Sequence, residues 1–394
     1  MKRLQTIFLL AAACVATAFA QDSGTGFVGN GYYRINNLAT GRYIYVTDNK
    51  DYYDITHDQE DFQAIQLWKD ANKAINAPAS VIYIKQVGSQ YDLMAQGTGV
   101  NSLTGYYVSV SAKGNGIYDV YATKKGVEKH LADLTKSKVK EKGKMGVKQD
   151  GAYSLWVVDK IETNHATNYV GITPTIELNG KYYQPFYAAF PFKAVSPDMH
   201  IYYISVADGE MALLQEIEGD VPASTPVLIE CASANASDNR IELLNSTSAS
   251  VTGNKLVGVY FCNGERPKSS TDAYTLFDAA KMRIFSVENG KLVLTDNAPD
   301  RLADTEVNNY ETWETDWVKC IPANTCYYKA KASTPSVIEL TSDPTSIGAI
   351  SGSNEKPQAK GVYSLSGTQL RQTNDTQGLP TGLYIVGGRK TVVK

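Results

Sequence analysis

Residues 80–93 read SVIYIKQVGSQYDL, two runs of mainly β-branched, aromatic and polar residues on either side of Gly88 and Ser89. Such runs favour extended strands, and a glycine turn between them is typical of a hairpin. Comparable runs follow one another at fairly even spacing: YYRI (32–35), RYIYVT (42–47), YYVSVSA (106–112), IYDVYAT (117–123) and YSLWVVDKI (153–161). Short strands in this rhythm predict a closed barrel or sandwich. The chain is therefore expected to be all-β.

The composition is that of a folded protein with several domains. The chain has 394 residues, of which 43% are hydrophobic and 20% charged, and this length suits two or three domains. Tyrosine is abundant, with 26 copies against 10 phenylalanines, which again favours strands. The formal net charge of −3 gives no reason to expect nucleic acid or an anionic membrane as a partner.

The first 20 residues have the form of a secretory signal. Lys2 and Arg3 precede an apolar stretch, and Ala18-Phe19-Ala20 supplies a small-x-small cleavage site. The alternative is a lipoprotein signal acylated at Cys14. No later apolar run approaches the roughly 20 residues that a membrane-spanning helix needs, so no transmembrane segment is expected after cleavage.

The segment GRYIYVTDNK (41–50), followed by AIQLWKD (64–70) and residues 80–93, resembles one repeat of a ricin-type β-trefoil. Three such repeats would close a trefoil over residues 21–168, with YSLWVVDK in the third. In sugar-binding repeats of this family, an Asp and a polar amide hold the sugar hydroxyls while an aromatic side chain stacks on the ring.

The resemblance implies a candidate glycan site in this repeat. Trp68 falls at the stacking aromatic, with Gln66 just before it. Tyr45 occupies the position of the family's Asp, and Asp48 could replace that Asp if its loop bends back. The amide position falls near Ala77 and Pro78. The alternative is that Trp68 is a half-buried residue of the barrel.

A short proline-containing turn sequence in the middle of the chain recurs after 100 residues. VPASTPVLI (221–229) is echoed by IPANTCYYK (321–329), and in each case an apolar residue and a proline lead through a turn into a strand. Together with the aromatic strands before them, these turns resemble a β-sandwich module of exported proteins of the Bacteroidota phylum. The resemblance implies a β-sandwich domain over residues 169–342, without an implied activity.

Four cysteines remain once the signal is removed: Cys231, Cys262, Cys320 and Cys326. In an exported chain they permit disulfides in three pairings. Cys231 with Cys262, and Cys320 with Cys326, is the favoured pairing, and buried free thiols are the alternative. Because neither the ligand spacing nor the neighbouring histidines of a zinc site are present, no metal and no cofactor are expected.

The last 34 residues form the most specific feature. Residues 343–360 are rich in Ser, Gly and Pro and read as a flexible linker. Beyond them, VYSLSG (362–367), GLPTGLYIV (378–386) and the basic ending GGRKTVVK (387–394) resemble the C-terminal sorting domain of type IX secretion cargo. The resemblance implies a small β domain (361–394), the type IX export machinery as a partner, and a secreted or outer-surface location. A small stabilising strand pair is the alternative.

Three common catalytic or phosphate-binding motifs, GxSxG, HExxH and GxxxxGK[ST], do not occur in the sequence. The leading hypothesis is therefore a non-catalytic, surface-displayed binding or adhesion protein whose partners are glycans or surface and matrix proteins. Two alternatives stay open. One is a structural or assembly protein of the cell surface, and the other is an accessory hydrolase with carboxylates in a cleft between domains.

Overall fold

The computed structural model confirms the all-β class. It describes residues 29–46, 65–69, 74–96, 103–105, 107–135, 138–148, 151, 153–262, 274–309, 314–343, 361–364, 368–386 and 389–393. Strands dominate the regular structure of these residues, joined by short 3-10 turns at Pro78–Ser80 and Pro299–Arg301. Among the described residues, no helix has the length and apolar character to cross a membrane.

Ten strands fall in the first part of the chain. They are β1 (Gly31–Asn37), β2 (Tyr43–Val46), β3 (Ile65–Trp68), β4 (Ile82–Val87), β5 (Gln90–Ala95), β6 (Ser109–Gly114), β7 (Ile117–Lys124), β8 (Val127–Asp133), β9 (Lys142–Lys148) and β10 (Leu155–Lys160). The opening sequence forms the β4–β5 hairpin with its turn at Gly88 and Ser89.

The pairing of these strands closes a ring. β1 pairs with β4, β4 with β5, β6 with β7, β7 with β10, and β10 returns to β1. A bridge between Tyr91 and Val108 joins β5 to the start of β6. Hairpins β2–β3 and β8–β9 pair with each other through β3 and β9. The segment between β5 and Val108, where a trefoil would carry a third hairpin, is largely outside the described residues, so the trefoil assignment stays a prediction.

Alternation along the strands builds the core of the barrel. In β7, every second residue from Tyr118 to Ala122 is buried, as the two-residue period of a half-buried strand requires. Trp156 of β10 is fully buried among these residues, and its indole Nε1 donates to the Leu131 carbonyl at 2.9 Å. This bond satisfies the one polar atom of the largest core side chain.

A fully buried ion pair fixes the loops next to β2 and β8. Arg42 Nη1 lies 2.6 Å from Asp133 Oδ2, and the same carboxylate oxygen accepts from Thr40 Oγ1 at 2.8 Å. Arg42 also donates to the backbone carbonyls of Thr135 and Lys140. The charges are thus paired and hydrogen-bonded, the condition under which burial of an ion pair is tolerated.

Fifteen strands follow in the middle of the chain. They are β11 (Val170–Gly171), β12 (Ile176–Leu178), β13 (Lys181–Phe186), β14 (Phe192–Ala194), β15 (His200–Asp208), β16 (Met211–Glu216), β17 (Val227–Cys231), β18 (Arg240–Leu243), β19 (Leu256–Val259), β20 (Met282–Glu288), β21 (Lys291–Thr295), β22 (Ala303–Asn309), β23 (Glu314–Cys320), β24 (Thr325–Lys329) and β25 (Val337–Thr341).

One large curled sheet dominates this region, in the order β12-β13-β17-β15-β16-β25-β21-β20-β24-β19. Its pairings are antiparallel except for the parallel contact of β16 with β25. Residues from the two ends of this order share one buried cluster, which includes Ile176 and Tyr183 from one end and Leu256 and Cys326 from the other. The sheet therefore folds over on itself in a sandwich-like manner. Strands β11, β18 and β14 form a small second sheet, and β22 and β23 form a hairpin.

The two echoed turns adopt the same unusual backbone. Ser224 and Asn324, at equivalent positions of VPAST and IPANT, have φ values of 59° and 55°, in the left-handed region that serine rarely adopts. Both turns contact Tyr260: Asn324 N donates to the Tyr260 carbonyl at 3.3 Å, and Ser224 Oγ lies 2.5 Å from the Tyr260 hydroxyl. The echo in the sequence thus corresponds to two turns that meet at one tyrosine.

The barrel and the large sheet share apolar contacts. Tyr32 and Tyr83, on strands of the barrel, are buried in the same cluster as Phe190 and Phe192 of the middle region. In return, Phe261 is buried in the core cluster of the barrel. Because these contacts exclude water from both sides, the two parts of the chain are packed against each other rather than merely linked.

The tail is a four-stranded antiparallel sheet. Its strands β26 (Val362–Tyr363), β27 (Gln369–Arg371), β28 (Gly382–Val386) and β29 (Arg389–Val393) are ordered β27-β26-β28-β29. Among the described residues of the tail, Val362 is fully buried. The predicted linker lies outside the described residues except at its first position, and the predicted domain boundaries stay predictions.

Candidate functional site

The structure places three of the four predicted glycan-site residues on one hairpin. In the β2–β3 ladder, Tyr45 is the direct partner of Gln66, and Tyr43 is the partner of Trp68. Gln66 and Trp68 lie on either side of the buried Leu67 along β3. Their backbone positions therefore belong to the face of the ladder opposite to that of Leu67. Asp48 and the rest of its loop lie outside the described residues.

Tyr45 faces a small cavity between the barrel and the middle region. The cavity has a volume of about 120 Å³, and on the barrel side Tyr45 lines it together with Asn76, Ala77 and Pro78. Burial raises the pKa of Tyr45 to about 12, so its phenol is neutral at physiological pH. The structure thus brings the two positions that the trefoil pattern assigns to the Asp and the amide, Tyr45 and residues 77–78, to one cavity.

A larger cavity of about 380 Å³ adjoins the first. Gln184 and Ala323 line both cavities, so the two lie side by side. We call the two together the cleft, with a narrow and a wide chamber. Ile284, Phe285 and Leu302 supply apolar walls to the wide chamber. A volume above about 300 Å³ with apolar walls and a few polar groups is typical of a small-molecule site.

Two polar side chains in the wide chamber have hydrogen-bonding capacity to spare. Gln184 Nε2 donates to the Pro185 carbonyl at 2.9 Å, but the amide oxygen Oε1 is buried without a hydrogen-bond partner. Arg301 donates from Nη1 to the Thr175 carbonyl, while its buried Nε has no hydrogen bond, although Asp300 Oδ2 lies 3.4 Å away. Buried polar atoms are nearly always paired, so this acceptor and this donor are suited to a ligand.

The IPANT turn separates the two chambers and is held rigidly. Asn324 Nδ2 donates to Gln96 Oε1 of the barrel at 2.9 Å and to the Tyr187 carbonyl at 3.0 Å. Gln96 is fully buried, so this contact ties the turn to the barrel without access of water. The turn therefore positions Pro322 and Ala323 in the wall of the cleft.

Carboxylates are scarce in the cleft. Among the described residues that line the two chambers, Asp300 supplies the one carboxylate. Glycoside hydrolysis commonly uses two carboxyl groups about 5–10 Å apart. The accessory-hydrolase hypothesis therefore finds no support in this cleft.

The cysteines do not form the favoured pairs. All four are free thiols in the structure, so the expected Cys231–Cys262 and Cys320–Cys326 bonds are absent. Cys326 instead donates to the Val227 carbonyl at 3.4 Å, and burial raises the pKa of Cys231 to about 12. The expectation was wrong because the five residues between Cys320 and Cys326 form the IPANT turn, which directs the two strands into different sheets.

Sequence reasoning missed Gln184 and Arg301. Gln184 lies in the strand KYYQPF, where a single polar residue among aromatics gives no signal of its own. Arg301 follows Pro299 in a short 3-10 turn. The sequence does contain one signal of the cleft, the IPANT turn that repeats VPAST, because the two chambers lie on either side of this turn.

Comparison with known proteins gives little guidance. No protein-family model matches the chain, and no curated protein matches it. A solved structure of a mosquitocidal holotoxin is similar over 76% of this chain and 34% of the toxin chain, with 8% sequence identity and a TM-score of 0.25. The chain thus spans about a third of the length of that toxin. A likeness this low leaves the function to be argued from the residues of the chain itself.

Proposed function

We propose that this chain is an exported, surface-displayed binding protein. Its ligand site is the cleft, whose narrow chamber lies between the barrel and the middle region and whose wide chamber is lined by the middle region. Its ligand is a small polyhydroxylated molecule of the glycan class. The observation that carries the proposal is a pair of buried polar atoms without a hydrogen bond, Gln184 Oε1 and Arg301 Nε, on two residues that line the wide chamber.

The chemistry of the cleft supports a hydroxyl-bearing ligand. A sugar hydroxyl both donates and accepts hydrogen bonds, so one hydroxyl can donate a hydrogen bond to Gln184 Oε1 while another accepts one from Arg301 Nε. The Thr175 and Thr325 residues add further polar groups to the wall. Apolar walls around a few fixed polar groups provide orientation as well as contact area.

The narrow chamber sets a limit on the ligand. At about 120 Å³ it is below the usual range for a small-molecule site, so it accommodates a substituent rather than a whole ligand. Tyr45 at its barrel side offers a neutral phenol where trefoil sugar sites have an Asp. The cleft is thus expected to differ in specificity from the sugar sites of ricin-type repeats.

Export and display rest on the two ends of the chain. The signal-like residues 1–20 and the sorting-like residues 361–394 indicate the same route, by way of the type IX machinery to the outer surface. The four-stranded sheet of the tail supports this role because it is a compact β unit with its own strand order.

A glycan array tests the proposal. The purified chain should bind one or a few glycans, and Gln184→Leu should lose that binding because the amide oxygen is removed. Gln86→Leu is the matched control, since Gln86 is an exposed glutamine of β4 whose side-chain amide donates to the Gly88 carbonyl within its own turn. Absence of binding to any glycan, or equal binding by both variants, would contradict the proposal.

A further inference from the structure

A pair of thiols lies outside the cleft. Cys262 follows β19, and Cys320 ends β23. In the β22–β23 ladder, Cys320 is the partner of Ala303, which lies two residues before Thr305 on the same face, and Cys262 contacts Thr305 itself. The two thiols therefore lie close enough to hydrogen-bond to each other. The distance from Cys262 Sγ to Thr305 Oγ1 is 3.3 Å. Two sulfur atoms that are far apart in the sequence are thus neighbours in the fold.

The environments of the two thiols are unequal. Cys262 is half-buried, and the hydrogen bond from Cys320, helped by Thr305, lowers the pKa of its thiol to about 7. Cys320 is fully buried, and its role as the donor to Cys262, together with burial, raises its pKa. Because the attacking thiolate must reach its partner and be ionised, the more accessible Cys262 is better placed than the fully buried Cys320 to react first.

The other two cysteines provide a contrast within the same chain. Cys231 and Cys326 are buried in apolar clusters, and burial raises the pKa of both thiols. Within the part of the chain that the structure describes, neither thiol has a second sulfur as its hydrogen-bond partner. Buried thiols of this kind are inert.

We propose that Cys262 and Cys320 form a disulfide by exchange with a small-molecule or protein disulfide, and that Cys262 is the attacking thiol. Cys262 displaces one thiolate from the donor and forms a mixed disulfide. Cys320 then gives up its proton, attacks the Cys262 sulfur and releases the second donor thiol. The chain loses two electrons and two protons, and the donor disulfide becomes two thiols.

The bond would restrain the wall of the cleft. Cys320 directly precedes Ile321 and Pro322, which line the wide chamber, and it pairs with Ala303 of β22, another lining residue. A covalent link from Cys262 to this position limits how far the β22–β23 hairpin can move from the sheet. The inference does not depend on the ligand of the cleft.

Oxidised glutathione is the probe for the test. After incubation of the reduced full chain with it, followed by an acid quench, alkylation and non-reducing peptide mapping, the Cys262 and Cys320 peptides should be linked, with Cys231 and Cys326 alkylated. The double variant Cys231→Ser/Cys326→Ser should form the same link. A link between any other pair, or four alkylated cysteines, would overturn the proposal.

A second variant tests the order of the reaction. In Cys320→Ser, the mixed disulfide cannot be resolved, so a glutathione adduct should accumulate on Cys262. In Cys262→Ser, no adduct should form on Cys320, because that thiol is buried. An adduct on Cys320 in Cys262→Ser, or none on Cys262 in Cys320→Ser, would show that Cys262 does not attack first. If Cys320→Ser fails to fold, the peptide map of the unmodified chain still decides the pairing.

Discussion

Removal of the charge of Asp133 should destabilise the barrel more than any other single charge change at an ion pair described above. Both Asp133 and Arg42 are fully buried. Asp133→Asn would leave the guanidinium in a water-free site without its counter-charge, which costs about 3–5 kcal/mol. Since whole domains are stable by only about 5–15 kcal/mol, this loss should be visible as a large shift of the unfolding transition.

The exposed pair Lys319–Asp304 provides the matched control. Its nitrogen–oxygen distance is also 2.6 Å, but its side chains are 45% and 62% exposed. Because water screens such a pair, Asp304→Asn should cost no more than about 1 kcal/mol. Both substitutions replace an aspartate with an asparagine, so the difference between their losses in free energy of unfolding measures the effect of burying the ion pair.

Urea unfolding followed by tryptophan fluorescence measures both variants. Trp156 reports on the barrel because it is fully buried in the barrel core. A double variant, Arg42→Met/Asp133→Leu, should recover only part of the loss, because the Thr135 and Lys140 carbonyls would lose their donor. The reasoning is refuted if Asp133→Asn costs less than about 1 kcal/mol or no more than Asp304→Asn.

Three further predictions follow from single contacts. Gly258→Ala should cost about 1–3 kcal/mol in chemical denaturation, because an added methyl would overlap the ring of Tyr187; an unchanged midpoint would show that the ring moves freely. Asn324→Gly should lower the free energy of unfolding by about 1–3 kcal/mol, because the buried hydrogen bonds of the Asn324 side chain are lost. Asn324→Ala should lower it further, since alanine is strained at the positive φ of this position. Equal losses for the two variants would show that the backbone at this position is not strained for alanine. Burial raises the pKa of Tyr33 and Tyr45 to about 12, so both phenols stay protonated after the unfolded chain ionises near pH 10. The contribution of these two phenols to the free energy of unfolding should be fully present below that pH and should be lost as the pH rises to about 12. Thermal unfolding and absorbance at alkaline pH measure this loss. A free energy of unfolding that does not change over this pH range would contradict the burial of the two phenols.

The fold class could be predicted because the relevant signal is local. Alternating burial in β7 and the turn at Gly88 follow from the two-residue period of strands and from glycine turns. The order of the strands has no such signal. The parallel pairing of β16 with β25 joins segments more than 100 residues apart, and only the packing of the whole sheet decides it.

The candidate site was predicted in part. Tyr45 and the neighbourhood of Ala77 were identified from one repeat, and both line the narrow chamber. The repeat could not reveal that the middle region forms the other wall of that chamber. Gln184 and Arg301 become significant only because folding leaves one polar atom of each buried without a hydrogen bond, and a sequence does not show which polar atoms lack one.

The disulfide expectation failed for a related reason. Short separation along the chain favoured Cys320 with Cys326, but the intervening turn sends the following strand into a different sheet. The neighbour of Cys320 in space is Cys262. Proximity in the sequence is therefore a poor guide where a turn separates two sheets.

Calorimetric titration of the cleft variant Arg301→Met tests the central claim most directly. With a glycan identified on the array, Arg301→Met should lose at least tenfold in affinity, about 1.4 kcal/mol, because the Nε donor is removed. Arg371→Met in the tail is the control, since Arg371 also lies 3.4 Å from an aspartate and is 33% exposed, close to the 26% of Arg301. Loss of affinity in Arg301→Met alone is the predicted result. Equal affinity of the two variants and the unmodified chain would show that the cleft is not the binding site.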